Sequence, residues 1–234
     1  MQREQKTPIS QRDGGCPCEG TVEPESSRGA RSTAAPEDGE KDSAGALLEQ
    51  VLSRNNLNAA YKRVRQNDGA AGVDGMTVDE MLPYLKEHGN ELVESLRSGQ
   101  YKPQPVRRVE IPKPTGGVRI LGVPTVIDRM IQQAIVQVLQ PIFERTFSES
   151  SYGFRPGRNA QQAIKRAKEY YGQGYTRVVD IDLAKYFDTV NHDLLIGMVR
   201  KEVKDESLVG LIRRYLKSGV MSNVVVSSTE EGTP

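Results

Sequence analysis

The sequence predicts a mixed α/β (α+β) fold preceded by a disordered tail. Three observations lead to this fold class. A hydrophobic stripe with helical spacing runs through residues 127–143, a proline- and glycine-rich turn joins two alternating segments within 107–123, and Val178, Val179, Ile181 and Leu183 are β-formers within 177–183. With 234 residues, 36% of them hydrophobic, the chain can bury one sizeable core.

Residues 1–44 have a different composition from the rest of the chain. They are rich in Gly, Pro, Ser and Glu and nearly free of aliphatic residues, so they cannot bury enough apolar surface to offset chain entropy. We expect a disordered tail. It carries nine acidic and six basic side chains, a net charge of −3. Since the whole chain has a net charge of +1, the remainder carries +4. The basic surplus lies in 97–129 and 145–177 and suits a polyanionic partner, although scattered cations are also typical of a solvated face.

The cysteines and the hydropathy pattern exclude several classes of protein. Cys16 and Cys18 have no second pair with which to complete a zinc site, and a secreted disulfide framework needs more cysteines. The N-terminus has no apolar signal segment, and no apolar run approaches membrane-spanning length. We expect a soluble, cytoplasmic protein that does not contact a membrane.

Residues 45–100 are predicted to form a helical N-terminal extension. Apolar residues between Leu47 and Val64 fall at helical spacing and indicate a broken pair of short helices. Thr77 and Glu80 predict a capping box for the next short helix, and Asn90 predicts the start of another.

Residues 107–111 and 118–123 are predicted to form a β-hairpin. Pro112 ends the first strand, and the following glycines supply a turn with positive φ. Lys113 and Arg119 flank this hairpin, and fixed cations on such an element suit the charge of a triphosphate. The alternative is that hairpin tips favour lysine for solubility.

The stripe at 127–143 predicts a core helix of about five turns. Residues 150–158 form a loop, and Asn159 is expected to cap a helix that turns Ala160, Ala163, Ile164 and Ala167 inward. In the loop, exposed aromatics among arginines can stack on bases, but we favour a buried anchor for Tyr152 and Phe154. Arg155 and Arg158 are the predicted nucleic-acid contacts.

Residues 177–183 are the centre of the predicted site. Their β-formers indicate a short strand with a largely buried flank, and alternation places Asp180 and Asp182 on one side, about 7 Å apart at Cα. Buried carboxylates need a partner or a metal ion. The alternative is a polar edge strand whose aspartates face water.

The chain after this strand is predicted to begin a helix near Asp193. Asn191 serves as its N-cap, and His192 is expected to fix the turn into it. A second helix follows through Leu208 and Leu216, and residues 220–227 predict a strand that joins the sheet.

Four blocks in order resemble the reverse transcriptase domain of group II intron-encoded proteins, the retroelement reverse transcriptase/maturases. They are Gly69-Ala-Ala-Gly-Val-Asp-Gly-Met-Thr77, residues 109–124, Ser151-Tyr-Gly-Phe-Arg-Pro-Gly-Arg158 and residues 178–195. The resemblance implies the fingers and a partial palm of a right-hand polymerase in residues 101–234, with an N-terminal extension that touches template RNA. The chain stops before the family's Gln-Gly-Gly-Pro motif and Tyr/Phe-Ala-Asp-Asp hairpin, so we expect the front part of such an enzyme.

The resemblance also implies roles for single residues. Asp182 is the catalytic aspartate that bridges two Mg²⁺ ions, with the Leu183 carbonyl as a further ligand, and Asp180 is secondary. Lys113 and Arg119 bind nucleotide phosphates, and Phe187 lies under the sugar and excludes a 2′-hydroxyl. We therefore expect Asp182 to face a cleft that it shares with Arg119.

The implied activity is RNA-directed DNA polymerisation, a nucleotidyl transfer that uses Mg²⁺, deoxynucleoside triphosphates, an intron RNA template and a DNA primer. We expect this chain to be inactive alone, because a hard cation is held weakly by one carboxylate. A partner chain could supply the rest of the palm. Two alternatives stay open: an RNA-binding maturase that assists splicing without catalysis, and a truncated product without function.

Overall fold

The computed structural model describes residues 45–114, 116–222 and 225–234. The predicted disordered tail, residues 1–44, lies outside them. The described residues form seven α-helices and a four-stranded sheet, so the mixed α/β fold class is confirmed. In chain order the elements are α1 (Ala46–Leu52), α2 (Arg54–Asn67), α3 (Met81–Arg97), β1 (Val106–Pro112), β2 (Val118–Val123), α4 (Val126–Glu144), α5 (Ala160–Gly172), α6 (His192–Glu202), α7 (Glu206–Leu216), β3 (Val220–Ser222) and β4 (Val225–Ser227).

Helix α4 is the centre of the hydrophobic core. Its predicted stripe is confirmed, because Ile127, Met130, Ile131, Ala134 and Ile135 are all buried. Residues of α1, α2, α3, α6 and α7 belong to the same buried cluster. The core therefore includes helices on both sides of residue 100, and the domain boundary there stays a prediction.

The predicted break between the first two helices is confirmed, and the break at Asn90 is wrong. Ser53, with extended ψ of 139°, separates α1 from α2. Helix α3 continues through Asn90, because its buried face runs from Met81 to Leu96 and outweighs the low helix propensity of Gly89 and Asn90.

Thr77 and Glu80, predicted to cap α3, do contact each other, but they lie before the first residue of the helix. The backbone amide and hydroxyl of Thr77 both donate to Glu80, at 2.8 and 2.7 Å, and these bonds lower the pKa of the Glu80 carboxyl. However, α3 begins only at Met81, after this contact.

The sheet has the strand order β2-β1-β3-β4. The predicted hairpin is confirmed: β1 and β2 are antiparallel with Ile111 opposite Arg119, and Gly116 and Gly117 in the turn have φ of 91° and 86°. The strand predicted at 220–227 does reach the sheet, because β3 pairs parallel with β1. It is two strands rather than one, since β3 pairs antiparallel with β4; residues 223 and 224 lie outside the described residues.

Helix α5 begins as predicted and packs differently. Asn159 and Gln162 form a complete capping box at its N-terminus. The inward face predicted for Ala160, Ala163, Ile164 and Ala167 is wrong, because no residue of α5 is buried and Ile164 is 56% exposed. An apolar stripe becomes buried only where another element covers it, and none of the described elements packs closely on this one.

Two buried carboxylates join elements that are distant in sequence. Asp128 accepts hydrogen bonds from the hydroxyls of Thr125, Tyr101 and Tyr215 at 2.8, 2.7 and 3.1 Å, and so ties α4 to α7 and to the chain before β1. Asp205 accepts from the backbone amides of Leu208 at 3.0 Å and Leu48 at 2.8 Å, and so caps α7 while it holds the first turn of α1.

Among the described helices, none has the length and hydrophobicity needed to cross a bilayer.

The Asp205→Ala variant should lose about 3 kcal/mol of unfolding free energy. One buried carboxylate satisfies amides of two helices, and both are left without an acceptor. Urea unfolding followed by circular dichroism measures the loss. The matched control is Asn159→Ala, which removes the exposed cap of α5 and should cost about 1 kcal/mol or less. Equal losses in the two variants would contradict the bridging role.

The free energy of unfolding should decrease in alkaline solution, because Tyr101 and Tyr215 ionise more readily in the unfolded chain than in the folded one. Burial and the neighbouring Asp128 raise the pKa of both Tyr101 and Tyr215 above the ordinary value of about 10. The folded state therefore favours the protonated phenols, so this stabilisation is complete below pH of about 10 and is lost as the pH rises above it. In a spectrophotometric titration, two of the nine tyrosines should ionise only on unfolding. The Tyr215→Phe variant should leave one; ionisation of all tyrosines in the folded chain would contradict this.

Candidate functional site

An open cleft of about 640 Å³ lies between β2 of the hairpin and the chain that precedes α6. Its lining residues are Arg119, Ile181, Asp182, Leu183, Lys185, Tyr186, Phe187 and Asp188. The structure thus brings together four residues that the sequence singled out separately: Arg119, Asp182, Leu183 and Phe187. They come from two segments more than sixty positions apart.

The segment that carries Asp182 is not the strand that the sequence predicts. Residues 177–183 have no assigned secondary structure, and Val178, Val179, Ile181 and Leu183 are 66–91% exposed. Both the strand and its buried flank are therefore wrong. A strand needs a neighbour to accept its hydrogen bonds, and none of the four described strands pairs with this segment.

A tight turn after this segment forms one wall of the cleft. Lys185 has a left-handed backbone (φ 51°), and the chain continues into a 3₁₀ turn, Tyr186–Asp188. The amide of Asp188 and the hydroxyl of Thr189 both donate to the Lys185 carbonyl, at 3.0 and 3.1 Å. The turn presents the rings of Tyr186 and Phe187 to solvent, edge to face with centroids 5.3 Å apart.

Residues 232 and 233 hold the backbone of this turn by hydrogen bonds. The amide of Thr233 donates to the Phe187 carbonyl and that of Gly232 donates to the Val190 carbonyl, both at 2.8 Å. His192 is buried at the start of α6, and its Nε2 lies 2.6 Å from the Gly232 carbonyl oxygen. Asn191 caps α6 as predicted. His192 thus fixes the entry to α6, as the sequence indicated, by a contact with residue 232.

The cleft combines two cations with two carboxylates. Arg119 and Lys185 are the cations, and Asp182 and Asp188 are the carboxylates. Carboxylates and backbone carbonyls are the hard oxygen donors that suit Mg²⁺ or Ca²⁺. Over residues 45–114, 116–222 and 225–234, no three His, Cys, Asp or Glu side chains form a group able to hold a metal ion.

Sequence reasoning missed Lys185 and Asp188. Both line the cleft because the turn brings them back towards Asp182. The only sequence signal for them is their position beside the aromatic pair. Two other predicted residues lie elsewhere: Lys113 at the hairpin turn and Asp180 are exposed but do not line the cleft.

Arg155 holds its own loop together. Its guanidinium is buried and pairs with Glu144 at 2.7 Å, and Nη1 donates to the carbonyls of Ser148 and Ser151. All three nitrogens already have acceptors, because Nε also donates to Glu144. This geometry does not support the direct nucleic-acid contact predicted for Arg155.

The rest of this loop is open to solvent. Phe154 is fully exposed at φ 55°, so its predicted burial is wrong, since the salt bridge of Arg155 rather than the ring anchors the loop. Tyr152 is half-buried, with the Arg158 guanidinium 5.5 Å from its ring centroid. Arg158 also pairs with Glu149, whose pKa it lowers, and remains partly exposed.

Comparison with known proteins identifies the family. Residues 111–234, more than half of the chain, match the family model described as reverse transcriptase (RNA-dependent DNA polymerase). The matched residues include the second half of the hairpin and all of the cleft. Enzymes of this family work with a divalent metal ion.

Relatives of known sequence point the same way. The chain is 36% identical over 176 residues to the group II intron-encoded protein LtrA of Lactococcus lactis subsp. cremoris, covering 75% of this chain and 29% of LtrA. It is 38% identical over 167 residues to protein YkfC of Escherichia coli (strain K12), covering 70% of this chain and 44% of YkfC. The chain thus spans less than half the length of these relatives.

A solved structure supports the fold. A chain of the Cas6-RT-Cas1–Cas2 complex superposes with a TM-score of 0.53 at 22% identity, over 80% of this chain and 19% of that one. The family match, which covers the cleft between Arg119 and Asp182, shows that the chain belongs to the reverse transcriptases and resembles those that group II introns encode.

Proposed function

We propose that the cleft is the nucleotide site of an RNA-directed DNA polymerase that extends a DNA primer on an RNA template, with Mg²⁺ as its metal ion. One observation carries this proposal: a hairpin arginine and the aspartate of a separate segment line the same cleft. A triphosphate needs positive partners, and its metal ion needs carboxylates. The cleft offers both within one volume.

Each lining residue then has a role. Asp182 and the Leu183 carbonyl hold the cation, and Asp188 is a further oxygen donor beside them. Arg119 and Lys185 face the phosphates, while the exposed ring of Phe187 lies against the sugar. When bound, Mg²⁺ supplies the positive charge that activates the primer 3′-hydroxyl and neutralises the leaving pyrophosphate.

The exposed run of Val178, Val179, Ile181 and Leu183 supports a further part of the proposal. Four large apolar side chains exposed within six consecutive residues are typical of a surface that another element covers. We propose that strands from another polypeptide segment or a partner chain pair with it and complete the palm.

RNA binding without catalysis, as in a maturase, is the second candidate function. The fully exposed ring of Phe154 and the partly exposed guanidinium of Arg158, in the same loop, favour it. Aromatic rings beside cations stack on unpaired bases and contact phosphates. This loop contributes nothing to the cleft, so RNA contact there and nucleotide binding at Asp182 are compatible.

The Asp182→Asn and Arg119→Ala variants should each bind deoxycytidine triphosphate about tenfold more weakly than the wild-type chain, because each removes one charged contact worth about 1.4 kcal/mol. Equilibrium dialysis with the labelled nucleotide in magnesium buffer measures the affinity. Asp180→Asn is the matched control: it removes an exposed carboxylate two residues away that does not line the cleft. An equal loss in this control, or no binding by the wild type, would contradict the proposed site.

The 234-residue chain alone should not extend a DNA primer on an RNA template. In the part of the chain that the structure describes, the cleft is lined by only two carboxylates, which is few for two hard cations. A gel assay with Mg²⁺ measures extension, and an active reverse transcriptase on the same template is the positive control. Extension that disappears in Asp182→Asn would overturn the expected inactivity while it supports the assignment of the cleft.

A further inference from the structure

Residues 231–233 pack directly under the aromatic wall of the cleft. Glu231 forms an antiparallel bridge with Asn191, and the amides of the next two residues donate to the carbonyls of Val190 and Phe187 at 2.8 Å. These bonds hold the backbone on both sides of the turn at residues 187–190, and residues 231–233 are not among those that line the cleft. The ring of Phe187 is 67% exposed and lies edge to face with the Tyr186 ring, so its position depends mainly on where its backbone is held.

The fit at Gly232 has no room for a side chain. A Cβ atom there would lie 2.7 Å from the Asp188 carbonyl oxygen and 3.0 Å from that of Phe187. Its φ of +80° also belongs to the left-handed region that glycine adopts easily. Any larger residue must therefore push the cleft wall, the residue 231–233 segment, or both.

His192 fixes residues 231–233 to the core by one hydrogen bond, which we call the lock. Its Nε2 donates to the Gly232 carbonyl over 2.6 Å, while Nδ1 is buried without a partner among the described residues. The imidazole sits in the first turn of α6, and Ile196 of the same helix is buried in the hydrophobic cluster. The lock thus connects the residue 231–233 segment to an element that cannot shift freely.

We propose that residues 231–233, locked by His192, set the position of Phe187 and thereby the preference of the cleft for deoxyribose over ribose. This inference rests on the proposed nucleotide site. A ring that excludes a 2′-hydroxyl acts by contact, so its selectivity depends on where its backbone is held. His192 is a positioning residue, because it acts on the sugar only through Gly232, Thr233 and Phe187.

Four variants of the whole chain test this positioning. His192→Ala removes the lock, and His192→Gln keeps an amide donor that can reach the same carbonyl. Gly232→Ala pushes on the cleft wall. The matched control is Gly174→Ala, which places a Cβ at a similar backbone angle (φ +98°) with nothing within 4 Å.

The first measurement is the ratio of the affinities for deoxycytidine and cytidine triphosphates, by equilibrium dialysis in magnesium buffer. His192→Ala and Gly232→Ala should lower the wild-type preference for the deoxynucleotide about tenfold. His192→Gln should retain most of it, and Gly174→Ala should retain all of it. The inference is overturned if the wild type shows no preference, if His192→Ala and Gly232→Ala both keep the preference, or if Gly174→Ala loses it equally.

The second measurement separates this inference from the proposed function. Hydrogen exchange of the Gly232 and Thr233 amides, followed by NMR, needs no nucleotide. His192→Ala should accelerate their exchange about tenfold while the amides of α4 keep theirs, and His192→Gln should restore protection. If the wild type binds no nucleotide, the proposed site fails. The hydrogen-exchange rates of the Gly232 and Thr233 amides then show by themselves whether His192 holds this segment. Unchanged exchange in His192→Ala refutes it.

Discussion

The hydrophobic face of α4 is the constraint on which the rest of the structure depends. Helices α1 and α2 pack against it, apolar residues of α3, α6 and α7 complete the same buried cluster, and Asp128 at its first turn accepts hydrogen bonds from the hydroxyls of Tyr101 and Tyr215. A buried carboxylate is tolerated only when its hydrogen bonds are satisfied. The same contact therefore stabilises the core and fixes where the chain enters β1, so the direction of the hairpin follows from the packing of α4.

The sequence predicts the elements whose signals are local. The stripe of α4, the glycine turn of the hairpin and the caps at Asn159 and Asn191 each depend on a few consecutive residues, and the structure contains all of them. Burial is different, because it depends on what lies opposite. Helix α5 and residues 177–183 have the pattern of buried elements, yet they are exposed since no described element covers them.

The site could be predicted only in part for the same reason. Asp182, Phe187 and Arg119 were accessible through motif resemblance, but Lys185 and Asp188 join them through a left-handed turn that their residue types do not encode. The contact of Gly232 with Asp188 joins positions 44 apart and has no local signal. Arg155 shows a second limit of the sequence: its residue type suits a nucleic-acid contact, which stays a prediction, whereas in the structure its guanidinium pairs within its own loop.

The cleft combines walls of unequal support. One wall is held by His192, whose helix is rooted in the core, whereas the other belongs to a hairpin whose outer residues are exposed on both strands. Segments with few buried contacts open at low free-energy cost. In the proposed site, the backbone that carries Arg119 is therefore free to adjust to the phosphates, whereas the backbone of Phe187 is held in place. Such a division suits a polymerase, because every incoming nucleotide carries the same triphosphate but must be accepted or rejected by its sugar.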